Sequence, residues 1–398
     1  MLTDLSHCDF TPEEDLKNRI RRLKERMLES GISFSIILQN VDLFYFTGTL
    51  QKGIFFVPAE GEPALFIEKN IDRAVIETPL KIVHINSDRD VKGALTGTGA
   101  LNGTGGMELD VVPVAVYRHW RDILHFDNFT DISPLIRDIR SVKSPFELTQ
   151  VRRSGEICTH VFERSKDLVR EGMREVDISA ILEAEGRKAG HQGYLRMRGF
   201  NQEAMNISVA HGRSAAIPSG GNVPIAGVGI THAIAQGPSL RKVERGMPVV
   251  IDYCSGCNGY TTDETRTFAV GKLKKRFRKP YEVARQIIED ATVFGREGLD
   301  GVELFNCAFE TARRAGLEEY FMGYGPGKVG FIGHGLGLEL NELPVITPWY
   351  HVTLRKNMVF AFEPKFIFPG EGAVGIEVDF IVGSGGLERV TTTPIDTV

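Results

Sequence analysis

The stretch PVVIDYCSGCNGYTTDETRTF (248–268) reads as a β-hairpin that carries two acids. Val249 to Tyr253 and Tyr260 to Phe268 are β-prone, and Asn258-Gly259 between them is a strong signal for a two-residue hairpin turn. Asp252 and Asp263 lie eleven positions apart. Across an antiparallel hairpin with a two-residue loop, an odd separation puts both side chains on one face. Two carboxylates on one face repel unless something cationic lies between them. A solvated outer face is the bland alternative. Against it, Asp252 ends the apolar run Val249-Val250-Ile251, where a lone charge is costly.

Three further groups complete a candidate constellation. His334 lies in FIGHGLGLELNELP (331–344), where Gly333, Gly335 and Gly337 allow backbone or ligand to approach closely. Glu363 interrupts the strand-like run MVFAFEPKFIF (358–368), and Glu377 interrupts AVGIEVDFIV (373–382). Hard carboxylate oxygens with one imidazole suit Mn²⁺, Co²⁺, Fe²⁺ or Zn²⁺. Spacing alone leaves two readings open, a metal site and buried ion pairing. Cys254 and Cys257 form a Cys-x-x-Cys without a second pair, so neither a zinc site nor a redox frame is expected of them.

Outward from this region, the 398 residues exceed what one hydrophobic core usually holds, so two domains are expected. Leu16, Ile20, Leu23 and Met27 recur at helical spacing over 13–29. Short apolar runs at 34–38, 54–57, 64–67 and 82–85 read as strands. TGTGALNGTGG (96–106) lacks the Gly-Lys-Ser/Thr ending of a phosphate loop and is expected to be a surface loop. A new unit begins near 141, where Ser144-Pro145-Phe146-Glu147 forms a capping box ahead of a helix to about Val169. A second helix is predicted from about Asp177 to Lys188, and one more helical stretch near 279–316. With predominantly antiparallel strands in both halves, the fold class is α+β. The net charge of −5, with both signs interspersed, argues against a nucleic-acid partner. No apolar run has the length of a membrane span, and the acidic start MLTDLSHCDFTPEEDLK lacks the pattern of a secretory signal. Five scattered cysteines do not make a disulfide framework, so the cytoplasm is the expected compartment.

These segments, over nearly the whole chain, resemble the metallopeptidases of the creatinase, prolidase and aminopeptidase P group. That family carries an aspartate closing an apolar strand and a second eleven residues on in Asp-x-Thr-Arg-Thr. It also has a histidine in Gly-His-Gly, a glutamate before proline and a late glutamate. Asp252, Asp263 in DETRT, His334, Glu363 before Pro364 and Glu377 match them in order. NVDLFYFTGT (40–49) and IRSVKSPFEL (139–148) look like the family's amino-terminal domain and linker. The resemblance implies a creatinase-type α/β domain over 1–140 and a pita-bread catalytic domain over 141–398. It implies two divalent ions, Mn²⁺ first among them, held by the five matched residues, with Glu363 also moving the proton. It further implies short peptides with Xaa-Pro bonds as substrate, and a homodimer. The sequence departs from the pattern at three places. Asn341 stands where a substrate-binding histidine is usual, Ser219 stands at another such position with His232 a possible substitute, and Gly375 replaces an arginine. Asn341 can donate a hydrogen bond to a carbonyl but cannot carry a proton. Two rival readings are creatinase-like hydrolysis of a small amidino or amide compound, and a metal-binding family member without catalysis.

Overall fold

The computed structural model describes residue 5 and residues 7–96, 101–127 and 129–395. Part of the acidic amino-terminal stretch, residues 1–4 and 6, lies outside the described residues, as do residues 97–100 of the glycine-rich segment. Two compact units are present, Met1–Arg140 with Arg198–Gln202, and Ser141–Met197 with Glu203–Val398.

The first unit runs α1 (Glu13–Glu29), β1 (Phe34–Ile37), α2 (Asn40–Thr47), β2 (Gly53–Pro58), β3 (Ala64–Ile67) and α3 (Ile71–Glu77). It continues with β4 (Ile82–His84), α4 (Asp88–Leu95), β5 (Gly105–Met107), α5 (Val114–Leu124), β6 (Phe129–Asp131) and α6 (Ser133–Ser141). Its six strands form one sheet in the order β4-β3-β2-β1-β5-β6. Only β1–β2 and β2–β3 are antiparallel; β3–β4, β1–β5 and β5–β6 are parallel. This corrects the expectation of mainly antiparallel pairing in both halves. Short apolar runs carry no direction, whereas the helices α3 and α5 inserted between neighbouring strands return the chain for parallel pairing. The segment 96–106 is also not a loop throughout, because Gly105 and Gly106 are buried strand residues whose missing side chains make room for Phe34 and Ile132. Buried Asp42 bonds Arg140 at 2.7 Å and Arg198 at 2.9 Å, so the Arg198–Gln202 excursion is tied in by charge.

The second unit begins with α7 (Pro145–Leu168), opened by the expected box, in which Ser144 Oγ accepts from Glu147 N and Glu147 Oε2 from Ser144 N. Then come α8 (Glu175–Lys188), β7 (Ile207–His211), β8 (Pro248–Cys257), β9 (Tyr260–Ala269), α9 (Lys275–Phe294) and α10 (Gly301–Arg314). The helical stretch read as one over 279–316 is two helices, with Gly295, Gly298 and the cap Asp300 between them. The remaining strands are β10 (Gly333–Gly335), β11 (Glu342–Ile346), β12 (Val359–Phe362), β13 (Lys365–Phe368), β14 (Gly372–Gly375), β15 (Val378–Val382) and β16 (Leu387–Arg389). They pair as β7-β8-β9, β11-β10-β12-β15-β16 and β13-β14. One face of the β8–β9 hairpin meets α7, where Ser154 Oγ lies 2.7 Å from Ser255 Oγ and 2.8 Å from Thr262 Oγ1. Those bonds satisfy hydroxyls that would otherwise be buried at a cost. A large aromatic core, including Phe277, Phe360, Phe362, Phe366 and Phe380, packs α9 and α10 against the late strands. The opposite hairpin face is left to the acids.

Candidate metal centre

The hairpin register sets the first two acids. Asp252 pairs with Thr265 and Cys254 with Asp263, so Asp252, Cys254 and Asp263 share one face, as the odd separation predicts. Glu377 sits between β14 and β15 and is pinned to the hairpin, its N–H donating to Thr265 O at 2.9 Å and its Oε2 accepting from Thr265 Oγ1 at 2.7 Å. Glu363 closes β12, and its N–H donates to Ile332 O at 2.8 Å. His334 occupies the middle of β10 between β11 and β12. Its flanking glycines admit protein rather than ligand. A side chain at Gly333 would strike Ala361 O, one at Gly335 the Leu343 backbone, and one at Gly337 the Glu342 carboxylate.

His334 Nε2 faces three carboxylate oxygens at nearly equal range: Glu363 Oε1 at 3.8 Å, Asp263 Oδ2 at 3.9 Å and Glu377 Oε1 at 3.9 Å. These separations are too long for hydrogen bonds. They approach the roughly 3.4 Å spacing between tetrahedral ligands each about 2.1 Å from a shared ion. In each acid the second oxygen is already engaged by the chain. Asp263 Oδ1 accepts from Cys254 Sγ at 3.0 Å, and Glu363 Oε2 from Lys365 Nζ at 2.8 Å. Glu377 Oε2 accepts from Lys365 Nζ at 2.7 Å as well as from Thr265. Second-shell donors of this kind fix the orientation of a ligand set. One divalent ion therefore fits Asp263, His334 and Glu377, whose ligand atoms lie within 4.8 Å of one another, with Glu363 Oε1 facing the same imidazole. On the Asp252 side the fit fails for a second, because Lys365 Nζ also lies 3.2 Å from Asp252 Oδ2.

The charges here are crowded. Burial, with the charges of Glu377 and Asp252, pushes the Asp263 carboxyl well above the usual range. Burial also raises Glu363 to about 8, against the opposing pull of Lys365. His334 is lowered by burial, with the Glu377 charge opposing. Burial works to lower Lys365, but the surrounding Asp252, Glu363, Glu377 and Asp263 charges carry it well above the ordinary lysine value. Groups so placed call for a cation.

Lys365 was not singled out by sequence reasoning. Its signal was a lysine within the apolar run MVFAFEPKFIF, two residues after Glu363. Asp379 was also missed; it is buried, and its Oδ2 accepts from Asp263 N at 2.8 Å. Arg266 lies 2.7 Å from Glu264 and also donates to Glu377 O at 2.6 Å, a structural role. Of the other residues read from the sequence, Asn341 is half-buried on the turn between β10 and β11 that follows His334. His232 is exposed on the loop bridged by Gly227 and Gly237, and no described contact joins it to the carboxylates. Ser219 is half-buried. Cys254 and Cys257 point to opposite faces of β8, and the five cysteines are thiols outside any disulfide.

A mixed sheet unit is followed along the chain by a hairpin-and-helix unit that gathers acids and one histidine, a donor set suited to a divalent metal. Residues 149–384 match the model of metallopeptidase family M24, and residues 19–142 match the creatinase/prolidase N-terminal domain. The chain belongs to metallopeptidase family M24, and it is a peptidase of that family. It is 27% identical over 380 residues to an Xaa-Pro dipeptidase of Pyrococcus furiosus, covering 95% of this chain and 99% of that protein. The solved Xaa-Pro dipeptidase of Bacillus anthracis shares the fold with a TM-score of 0.82 at 23% identity, covering 96% of this chain and 99% of its own. The solved prolidase of Pyrococcus furiosus gives a TM-score of 0.76 at 25% identity, with 93% and 99% covered. The fold is thus the α+β arrangement expected, a creatinase-type α/β domain followed by a pita-bread catalytic domain. The family uses divalent metals, and Asp263, His334 and Glu377 offer atoms within 4.8 Å of one another that could hold one. The creatinase-like alternative is not favoured by these relatives.

Proposed function

We propose that this peptidase hydrolyses short peptides at Xaa-Pro bonds, as a dipeptidase or aminopeptidase, with a divalent ion held by Asp263, His334, Glu363 and Glu377. The observation that carries the reading is the convergence of His334 Nε2 with one oxygen from each of three acids at 3.8–3.9 Å. The similarity to Xaa-Pro dipeptidases supports the substrate class. A bound divalent ion supplies a Lewis acid and water of lowered pKa at neutral pH. Glu363, with Oε2 fixed by Lys365, would take the proton of the attacking water and pass it to the departing amine. Asn341, on the turn between β10 and β11, would donate a hydrogen bond to the substrate carbonyl. His232 is the alternative donor read from the sequence, and its exposed place supports it less. The proposal includes Mn²⁺ as the ion, a homodimer and a cytoplasmic location; for the last, the five cysteines outside any disulfide are the support. Among the described residues, no helix is long and apolar enough to cross a membrane.

The test is turnover of a dipeptide and tripeptide panel, with and without proline, by protein stripped with chelator and reloaded with Mn²⁺. Activity that is lost on stripping, restored by Mn²⁺ and greatest on Xaa-Pro peptides is expected. Reloaded protein that cleaves no peptide would sink the proposal and favour a non-catalytic family member.

A further inference from the structure

We infer that this centre binds one divalent ion rather than two, because the Lys365 ammonium stands where the second would meet Asp252. The inference rests on the metal-dependent reading above and concerns only how many ions the centre takes. Lys365 Nζ lies 2.7 Å from Glu377 Oε2, 2.8 Å from Glu363 Oε2 and 3.2 Å from Asp252 Oδ2. An ammonium has three donors, and here each has a carboxylate. The group thus makes the contacts that a second cation would need. The other candidate trio, Asp252, Cys254 and Asp263, is engaged in the same way. Asp252 Oδ2 bonds Lys365, and Asp263 Oδ1 accepts from the Cys254 thiol. An ion placed there would share its ligand with a neighbouring positive charge, which disfavours it.

The lysine cannot simply withdraw. Its side chain is only 2% exposed. Its strand partner is Gly375, and any side chain at that position would begin 2.5 Å from Lys365 Cγ. The β13–β14 pair is therefore shaped around the lysine stem, which argues for a permanent member of the centre. On the His334 side, Asp263 Oδ2, Glu363 Oε1 and Glu377 Oε1 each face the imidazole at 3.8–3.9 Å, and among the described residues no cationic side chain other than the imidazole is paired with these three atoms. A single divalent ion plus one ammonium nearly neutralises the four carboxylates.

The experiment is Mn²⁺ titration of stripped full-length protein, with elemental analysis and electron paramagnetic resonance of the loaded state. Wild type is expected to take up about one ion per chain and to show the hyperfine pattern of an isolated Mn²⁺. Lys365→Gly is expected to take up about two and to show the exchange-coupled pattern of a pair. Two ions in wild type, or a coupled spectrum, would overturn the inference and leave the metal-dependent reading intact. No ion in wild type would instead sink the metal-dependent reading itself. Folded Lys365→Gly that stays at one ion would show that the lysine is not what excludes the second. If that variant does not fold, Lys365→Ala is read in the same way, and the wild-type spectrum still decides the count.

Discussion

Lys365 and Gly375 face each other across the β13–β14 pair, and the lysine stem fills the space that a side chain at 375 would need. Position and counter-position are thus coupled: one residue of the pair can be long only if the other is small. The charge that reaches the acids comes from position 365 in this chain.

That coupling is measurable. Gly375→Arg should destabilise the second unit by about 1–3 kcal/mol, because it overpacks a filled site and crowds one cation against another. Lys365→Gly with Gly375→Arg should recover most of the loss. Urea denaturation of both single variants and the double variant checks it. Additive effects, with no coupling energy, would show that the two side chains do not compete.

The donors behind the carboxylates give a second expectation. Thr265 Oγ1 holds Glu377 Oε2 at 2.7 Å. Thr265→Val should keep the shape but remove one of the two donors to that oxygen, Lys365 keeping the other, and lower metal affinity by about tenfold. Asp263→Ala removes a ligand and should lose most of the bound metal. Mn²⁺ titration of each variant is the measurement. Unchanged affinity in Asp263→Ala would mean that the ion is not where His334 points.

Stability of the second unit should depend on pH through His191. Its Nδ1 accepts from Gly256 N at 2.9 Å, and burial lowers its pKa to about 4 from an ordinary 6.5. Below pH 6.5 the unfolded chain takes up a proton that the folded one refuses, so stability is greatest above 6.5 and falls as the pH drops toward about 4. His191→Asn retains an acceptor without titrating, so its stability should fall less steeply over the same window. Chemical denaturation at a series of pH values compares the two. Parallel profiles would remove His191 as the cause.

Asn341 and His232 are separated by kinetics. A histidine in place of Asn341 could carry charge while donating to the developing oxyanion, a contact whose full worth is about 2–4 kcal/mol. Asn341→His is therefore expected to raise kcat/KM on Xaa-Pro peptides, by up to about tenfold. Should the loop around His232 supply the donor instead, His232→Ala abolishes activity and Asn341→His does nothing or harms. Steady-state rates of both variants decide.

Much of this arrangement was legible before any coordinates. Glu13–Glu29, the capping box at Ser144 and the hairpin around Asn258-Gly259 all follow from local chemistry, and each formed as read. The shared face of Asp252 and Asp263 followed from the two-residue period of a strand. Lys365 was harder to see. A lysine after Glu-Pro looks like a strand-edge residue with a solvated tip, and nothing within its own neighbourhood says that it turns inward. Gly375 was visible only as a missing arginine, and its meaning depends on a strand partner ten positions earlier.

The sequence by itself determined the first helix, the capped helix after Ser144, the hairpin geometry and the resemblance to the family, because these rest on periodicity, turn residues and ordered motifs within short windows. Tertiary structure alone decided three matters: strand direction in the first unit, the return of Arg198 to Asp42, and the meeting of Lys365 with acids as far as 113 residues away. The physical reason is range. Local conformation is set by each residue and its near neighbours, whereas the environment of a buried charge is set by whichever distant segments pack around it.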